Sequence, residues 1–311
     1  MYTIRQYENG DKARWNDFVS TSPTGHFMFH RNYMEYHADR FDDHSLLLHE
    51  GKKLVAVIPA SAANGVWTSH QGLTFGGLVV GAKVYAAQAL ALTTALTEHL
   101  AGAGFTKAVI KAMPAAFAET AREDLLYALH RNGWTVGRRD LSSVIDYAAG
   151  LPYRQTKRHA VRNAAANDLT MTEDAGPERL WPVLESVLMA RHDTAPTHSA
   201  AEIALLASRF PKNIRFFSAE HQGRVLGGAV MFLQAGAAHT QYLAVNDEGR
   251  ALGALDYTLD ALIGRYRETH RWFSFGISTT EGGTNLNESL IFQKEGFGAR
   301  GVVHDFYERS F

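Results

Sequence analysis

The sequence predicts an α/β (α+β) protein of two similar halves, each a mixed, mostly antiparallel sheet flanked by helices. Three observations predict it. The element order occurs twice: 44–60 reads strand, turn at Gly51, strand, and 213–233 reads strand, turn at Gly223, strand. Each hairpin is followed by a further strand-like run, a long amphipathic helix, a short strand, a helix and a last strand. At 311 residues the chain is long for one core and ample for two. The expected division is a first domain over 1–150, a basic linker helix within 151–168 and a second domain over 169–311.

In the first half, Tyr2–Arg5 reads as a strand. Trp15, Phe18 and Val19 then recur at helical spacing, and a second helical stretch covers Asn32–Asp39. Strands follow at His44–His49, Leu54–Ala60 and Val66–His70. The glycine-rich QGLTFGGLVVG leads into a helix over 84–101 with the stripe Tyr85, Ala89, Leu92, Leu96, Leu100. Gly102 and Gly104 suit its C-terminal cap. Strand Lys107–Ala112, helix 115–132, stopped by Gly133, and strand Thr135–Tyr147 complete the half.

In the second half, Leu180, Trp181, Leu184, Val187 and Leu188 mark a helix over 178–192, with Pro182 early in it. A helix over 200–209 ends at Pro211. Strands at 213–220, 224–233 and 238–245 turn at Gly223 and Gly236. A helix over 252–268, strand Trp272–Gly276, helix 286–295 and strand 301–308 follow. Between the halves, Gly150 and Pro152 mark a break before a helix carrying Arg154, Lys157, Arg158 and Arg162. That basic stripe reads either as a solvated face or as a contact for phosphate or an anionic substrate.

Composition excludes several classes. Lys+Arg number 31 against Asp+Glu 32, so the chain lacks the global basic field of a dedicated nucleic-acid binder. The absence of cysteine removes disulfides, thiolate metal sites and a Cys nucleophile together. The polar N-terminus has no readable signal peptide, and no apolar run is long enough to span a bilayer. A cytoplasmic protein without a membrane span is expected. No G-x-S-x-G elbow, P-loop or dinucleotide fingerprint occurs. His37, Asp39, Asp43 and His44 cluster in sequence without a metal-ligand spacing, so no metal is expected.

The segment LIFQKEGF (290–297) resembles the end of the GNAT acyltransferase domain, where a helix closes in a pattern like L-Y-E-K-x-G-F and feeds the last strand. Two helices, a three-strand meander, helix, strand, helix and strand lead up to it as in that superfamily. Two departures are chemical. Phe292 stands where many GNAT enzymes have a Tyr general acid, and it has no proton to give. The loop VNDEGRALGALD carries Gly249, Arg250 and Gly253 where the superfamily binds pyrophosphate, but puts Glu248 at a Gln or Arg position.

The duplication and these departures make the whole chain similar to the FemAB-like proteins, which carry two GNAT-like domains in tandem. The basic K-R-x-x-x-R-N-A-A of the linker and the run Lys294, Glu295, Gly296, Phe297, Gly298 carry that resemblance. It implies an acyltransferase, here an N-acyltransferase that moves an acyl group from acyl-CoA to a small-molecule or peptide amine bound between the domains, the first domain being non-catalytic. Lys294 takes the family's oxyanion-stabilising role, the chemistry expected of an ammonium beside a tetrahedral oxyanion. A surface lysine suiting a helix C-terminus is the plainer reading. Tyr242 is a second catalytic candidate, and Val245, Gly249, Arg250 and Gly253 are the donor-binding candidates. Substrate-side candidates are His70, Arg158, Arg162, Arg191, His198, Glu281 and Asn285, with His192 beside them. Gly72, Gly76 and Gly77 allow a ligand or the other domain to approach the backbone. Two alternatives stay open: an aminoacyl-tRNA-dependent Fem-type peptidyltransferase, not favoured by the net charge of −1, and a non-catalytic ligand-binding GNAT-like protein.

Overall fold

The computed structural model describes residues 2–120, 122–234 and 236–311, with the side chain of His192 left out. The chain forms two compact units whose bounds cross its linear order. One is Met1–Leu141 with Thr280–Asn285 and Val302–Phe311; the other is Ser142–Thr279 with Leu286–Gly301. Two segments from late in the chain, Thr280–Asn285 and Val302–Phe311, thus belong to the first unit.

The first unit opens with β1 (Tyr2–Gln6), α1 (Lys12–Thr21) and the single turn α2 (Arg31–Met34). Strands β2 (Asp42–Asp43), β3 (Leu46–Glu50), β4 (Lys53–Ile58), β5 (Ser61–Ala63), β6 (Val66–Thr68) and β7 (Val79–Val80) follow. Then come α3 (Ala86–Gly102), β8 (Lys107–Lys111), α4 (Glu123–Arg131) and β9 (Thr135–Asp146), which passes into the second unit at Ser142. The order β1-β3-β4-β7 makes one antiparallel sheet. In the other, β2, β5 and β6 pair antiparallel in turn, and β6 then lies parallel to β8.

Helix α3 forms because Ala89, Leu92, Leu96 and Leu100 recur on one face, and all four are fully buried. Burying each leucine contributes roughly 1.5–3 kcal/mol. Tyr85, expected on that stripe, is instead the exposed N-cap, boxed with Gln88. The helix expected over 115–132 is a 3₁₀ turn at Ala115–Phe117 and a separate α4.

The second unit contains α5 (Gln155–Ala165), β10 (Thr170–Asp174), α6 (Trp181–His192) and α7 (Ala200–Arg209). The meander β11 (Ile214–His221), β12 (Arg224–Gln234) and β13 (Ala237–Val245) follows. Next are α8 (Asp247–Ala251), α9 (Ala254–Tyr266), β14 (Trp272–Ile277) and α10 (Glu288–Gly296), with the two-residue β15 (Thr279–Thr280) and β16 (Asn285–Leu286) at the boundary of the units. Strand β17 (Arg300–Ser310) starts here and runs into the first unit, where it pairs with β8. The sheet order is β10-β11-β12-β13-β14, then the second part of β9. Gln222 and Gly223, both with positive φ, make the tight β11–β12 turn. Leu259, Leu262 and Ile263 of α9 bury against Phe217, Met231 and Phe273 of the sheet. Among the elements that escaped the sequence pattern are β10, a polar edge strand, and α8, β15 and β16, too short for periodicity to register.

Candidate active site

The second unit opens a notch in its own sheet. Strands β13 and β14 run parallel for three residue pairs only, Ala237–His239 against Trp272–Ser274. Beyond them β13 continues to Val245 along β12, while β14 bends toward β9, where Ile277 faces Ser142. Two irregularities open the angle. Gly276 takes φ 74°, a left-handed conformation that favours glycine. On the other side, Tyr242 faces Val230 but Thr240 faces Met231, so Gln241 is an extra, bulged residue. Strands that diverge leave backbone N–H and C=O groups along both edges, which an extended acyl donor can pair with.

Lys294 stands at this notch. It lies in the last turn of α10, whose start is fixed by Asn287 Oδ1 accepting the Leu290 N–H at 3.0 Å. The side chain is 7% exposed. Its Nζ donates to Gly276 O (3.0 Å), Ile277 O (2.7 Å) and Ser278 Oγ (2.9 Å). Burial pushes its pKa down to about 8, so the ammonium persists at neutral pH but is easily lost above it. The plainer sequence reading, an exposed helix-end lysine, does not fit this burial.

His239, which the sequence offered only as one histidine among 15, closes the apex. It is half-buried, with Nδ1 3.0 Å from Ser274 Oγ. Burial first, and then the Lys294 charge, push its pKa down to about 4. Thr240 Oγ1 donates to Ser274 O at 3.3 Å, locking the last paired residues.

Two candidates from different sequence regions meet in this unit. His198 Nδ1 is 2.6 Å from the Tyr242 hydroxyl, and the His198 N–H donates to the same oxygen at 3.2 Å. Trp181 packs edge-on against the Tyr242 ring at 5.4 Å. Burial raises the phenol's pKa, so Tyr242 stays protonated and ties the α6–α7 loop to β13. Arg191 pairs with Asp247; the His192 side chain lies outside the described residues.

The donor candidates of 246–253 form a closed structure. Val245 is buried against Leu226 and Ala254. Asn246 caps α8 by accepting the Gly249 N–H at 2.8 Å. The N–H groups of Arg250, Leu252 and Gly253 donate to Asn246 O, Glu248 O and Arg250 O. Gly253 begins α9 at φ 77°, and a Cβ there would lie 2.8 Å from the Ala164 Cβ of α5. Asp256 already offsets the α9 N-terminus and pairs with Lys157 at 2.6 Å. The N–H groups of Gly249, Arg250, Leu252 and Gly253 are thus bonded within the segment, and α5 lies against the start of α9.

On α5, Arg154 pairs with Glu295 and covers the Phe292 ring at 4.5 Å. Phe292 is exposed. Arg158 and Arg162 are exposed as well, Arg158 donating to Tyr153 O. Glu281, Asn285 and His70 belong to the first unit. Glu281 and Asn285 are exposed, and Asn285 donates to Thr280 Oγ1. His70 is buried and stacked on His37 at 5.1 Å, and burial pushes its pKa down to about 3. Gly72 and Gly76 of the same unit allow close approach by the chain itself. A Cβ on Gly72 would meet Phe41 and His37, and one on Gly76 would collide with the Ser69 carbonyl. Among the described residues no group of His, Asp and Glu is placed to hold a metal, and no helix is long and apolar enough to cross a membrane.

The family model for the acetyltransferase (GNAT) domain matches residues 152–282. No curated protein sequence matches the chain. Solved structures share its fold at low identity. FemX aligns at TM-score 0.66 and 10% identity over 99% of this chain and 97% of its own. The C-terminal domain of a putative lysylphosphatidylglycerol synthetase from Agrobacterium fabrum aligns at 0.63 and 15% identity, covering 96% and 91%. The L-PGS of Bacillus licheniformis aligns at 0.63 and 11%, covering 98% and 93%. Residues 152–282 thus match the acetyltransferase (GNAT) domain, and the chain shares its fold with FemX over the whole length, around a notch with a buried lysine.

Proposed function

We propose that the protein is an N-acyltransferase that holds the donor carbonyl in the notch between β13 and β14 and passes the acyl group to an amine. The observation that carries the reading is the three-pair strand contact that ends beside a buried lysine. The amine nitrogen attacks the carbonyl carbon, and a C–N bond forms as the oxygen becomes an oxyanion. Collapse breaks the bond to the donor's sulfur or oxygen, and the amine proton ends on that leaving atom. The three N–H groups of Lys294 are already directed to acceptors, so its contribution is a fixed positive charge under the developing oxyanion.

Acyl-CoA, the donor expected from sequence, would meet at 246–253 a segment with internally bonded N–H groups and two carboxylates, Asp247 and Glu248, at the start of α8. That favours the aminoacyl ester of a charged tRNA, which does not need this loop. The exposed Arg158 and Arg162 of α5 supply cations for a nucleic-acid backbone. One of the structural neighbours is named a putative lysylphosphatidylglycerol synthetase, a name that fits transfer of an aminoacyl group. The acceptor is a small-molecule or peptide amine, and either donor belongs to the cytoplasm. The test supplies radiolabelled acetyl-CoA or bulk radiolabelled aminoacyl-tRNA with a panel of free amines and short peptides. Label reaching an amine from tRNA is expected. Label from acetyl-CoA alone would return the donor to CoA, and label from neither would remove the reading.

A further inference from the structure

We propose that the first unit contains a second binding site, a pocket for a primary amine with a short hydrocarbon body of about six to eight carbons. It shares no residue with the notch and does not rest on the acyltransferase reading: its whole wall belongs to the first unit.

The pocket forms where the expected helix breaks. Beyond β8 the chain makes the 3₁₀ turn Ala115–Phe117 and re-enters helix only at Glu123. Leu129 of α4 is buried, but Leu125 and Leu126 are half-buried, unlike the leucine stripe of α3. With Ile110, Ala112 and Met113 at the end of β8, and Val302 of β17, they make an apolar wall. Gly77 adds no side chain to it. A Cβ there would meet the Ile110 side chain at 3.4 Å and, among the described residues, nothing else within 4 Å. The enclosed volume is about 190 Å³. An apolar cavity of about 150 Å³ stays dry and takes up benzene, so this one has room for a slightly larger hydrocarbon. Water suits it poorly, since a held water needs about two to four polar partners.

The charges around the pocket choose the head group. Arg122, Glu123 and Asp305 all line it. Arg122 Nε and Nη2 donate to the Asp124 carboxylate at 3.0 and 2.9 Å. Both oxygens of Asp305 accept from Arg139, at 2.6 and 2.8 Å. These two pairs are neutral as pairs. Glu123 is exposed and has no ion pair or hydrogen bond among the described residues. Its charge still reaches the interior: burial first, then Asp305 and Glu123, raise the pKa of the buried Tyr307. A first-turn acid also suits the helix dipole, but that interaction leaves both carboxylate oxygens open to a cation. The uncompensated charge on the pocket is therefore negative. It favours an ammonium over a hydroxyl or a carboxylate as the head of an apolar ligand.

The test is ¹³C-methyl NMR of the whole chain, titrated at neutral pH and low salt with hexylamine, 1-hexanol and hexanoate. Hexylamine should shift the methyl signals of Ile110, Leu126 and Val302 saturably. The same signals should respond to 1-hexanol with a Kd about two- to fivefold higher, the worth of one exposed charge pair, and to hexanoate more weakly still. Glu123→Gln, an exposed change, should raise the hexylamine Kd to that of 1-hexanol and leave 1-hexanol unchanged. Ala118→Leu and Leu126→Phe each add carbon to the wall and should abolish binding with the circular dichroism retained; if neither folds, Glu123→Gln alone decides. No saturable shift, shifts that miss these three residues, 1-hexanol or hexanoate binding as tightly as hexylamine, or an unchanged Kd in Glu123→Gln would overturn the proposal. No acyl donor enters these titrations, so their failure leaves the acyltransferase reading untouched, and a failed labelling assay leaves the pocket untouched.

Discussion

Each unit of this protein contains a short parallel strand pair, and the two pairs end differently. In the first unit, Val66–Thr68 lie against Lys107–Val109; in the second, Ala237–His239 lie against Trp272–Ser274. Beyond the first pair the chain seals the gap with its own segment. The Ser69 N–H donates to Val109 O, the Lys111 N–H to Ser69 Oγ and the Gly76 N–H to Lys111 O. Lys111, buried and with its pKa pushed down to about 8 by burial, adds bonds from Nζ to Gln71 O and Leu73 O. Beyond the second pair the strands diverge, and the position that matches Lys111 in register is Gly276, turned into a left-handed conformation. Both gaps thus have a buried lysine directed at carbonyls. In the first unit that lysine helps close the gap, and in the second it leaves the gap open under a positive charge. On the proposed reading, one topology serves as structure in one copy and as a site in the other.

The largest expected effect separates the two lysines. Lys294→Ala should lower turnover on the order of 100-fold with the fold retained, read by labelling kinetics beside circular dichroism. Lys111→Met should leave turnover within about twofold and instead cost about 1–3 kcal/mol through the Gln71 and Leu73 carbonyls it strands, read as a lower Tm. A large activity loss in Lys111→Met would break the comparison.

The pH dependence sharpens it. The Lys294 charge is lost as pH rises through about 8, so turnover should fall above that pH and Lys294→Met should lack this limb. Stability runs the other way. Unfolded lysines keep their proton to about pH 10.4, whereas folded Lys111 and Lys294 release theirs near 8. The unfolded chain then binds more protons across that window, so the contribution of both lysines to stability rises with pH between the two values. Thermal unfolding of the wild type minus that of each Met variant reads this slope.

A smaller effect is expected at the bend. Gly276→Ala puts a Cβ at a positive φ and toward the His239 ring, costing about 1–2 kcal/mol and raising the donor KM more than it lowers kcat. The smallest is expected of Tyr242→Phe, which removes the bond to His198 at about 1 kcal/mol and loosens the α6–α7 loop, with a few-fold rise in KM.

The amphipathic helices and the alternation of the meander were legible because burial imposes them on the sequence: the Leu92, Leu96, Leu100 stripe is an example. So was the place of Lys294, through its run with Gly296 and Phe297. The difference between the two gaps was not legible. Gly72 and Gly76 announce close approach, but a glycine does not say whether a ligand or its own chain approaches. His239 carried no signal, since a lone histidine on a strand acquires its meaning from Ser274 and Lys294, 35 and 55 positions away. Nor did the sequence reveal that Asn246 caps a short helix, because the glycines of 246–253 suit a phosphate loop equally well.

The central claim is that the open gap of the second unit, and not the sealed gap of the first, receives the donor. A co-crystal structure with a non-hydrolysable 3′-aminoacylamino-adenosine, and another with acetonyl-CoA, tests it most directly. The carbonyl of whichever ligand binds should lie between Gln241–Val245 and Phe275–Ile277, next to His239 and above Lys294. A carbonyl seated in the first unit beside Lys111 and the 69–77 segment would contradict the account.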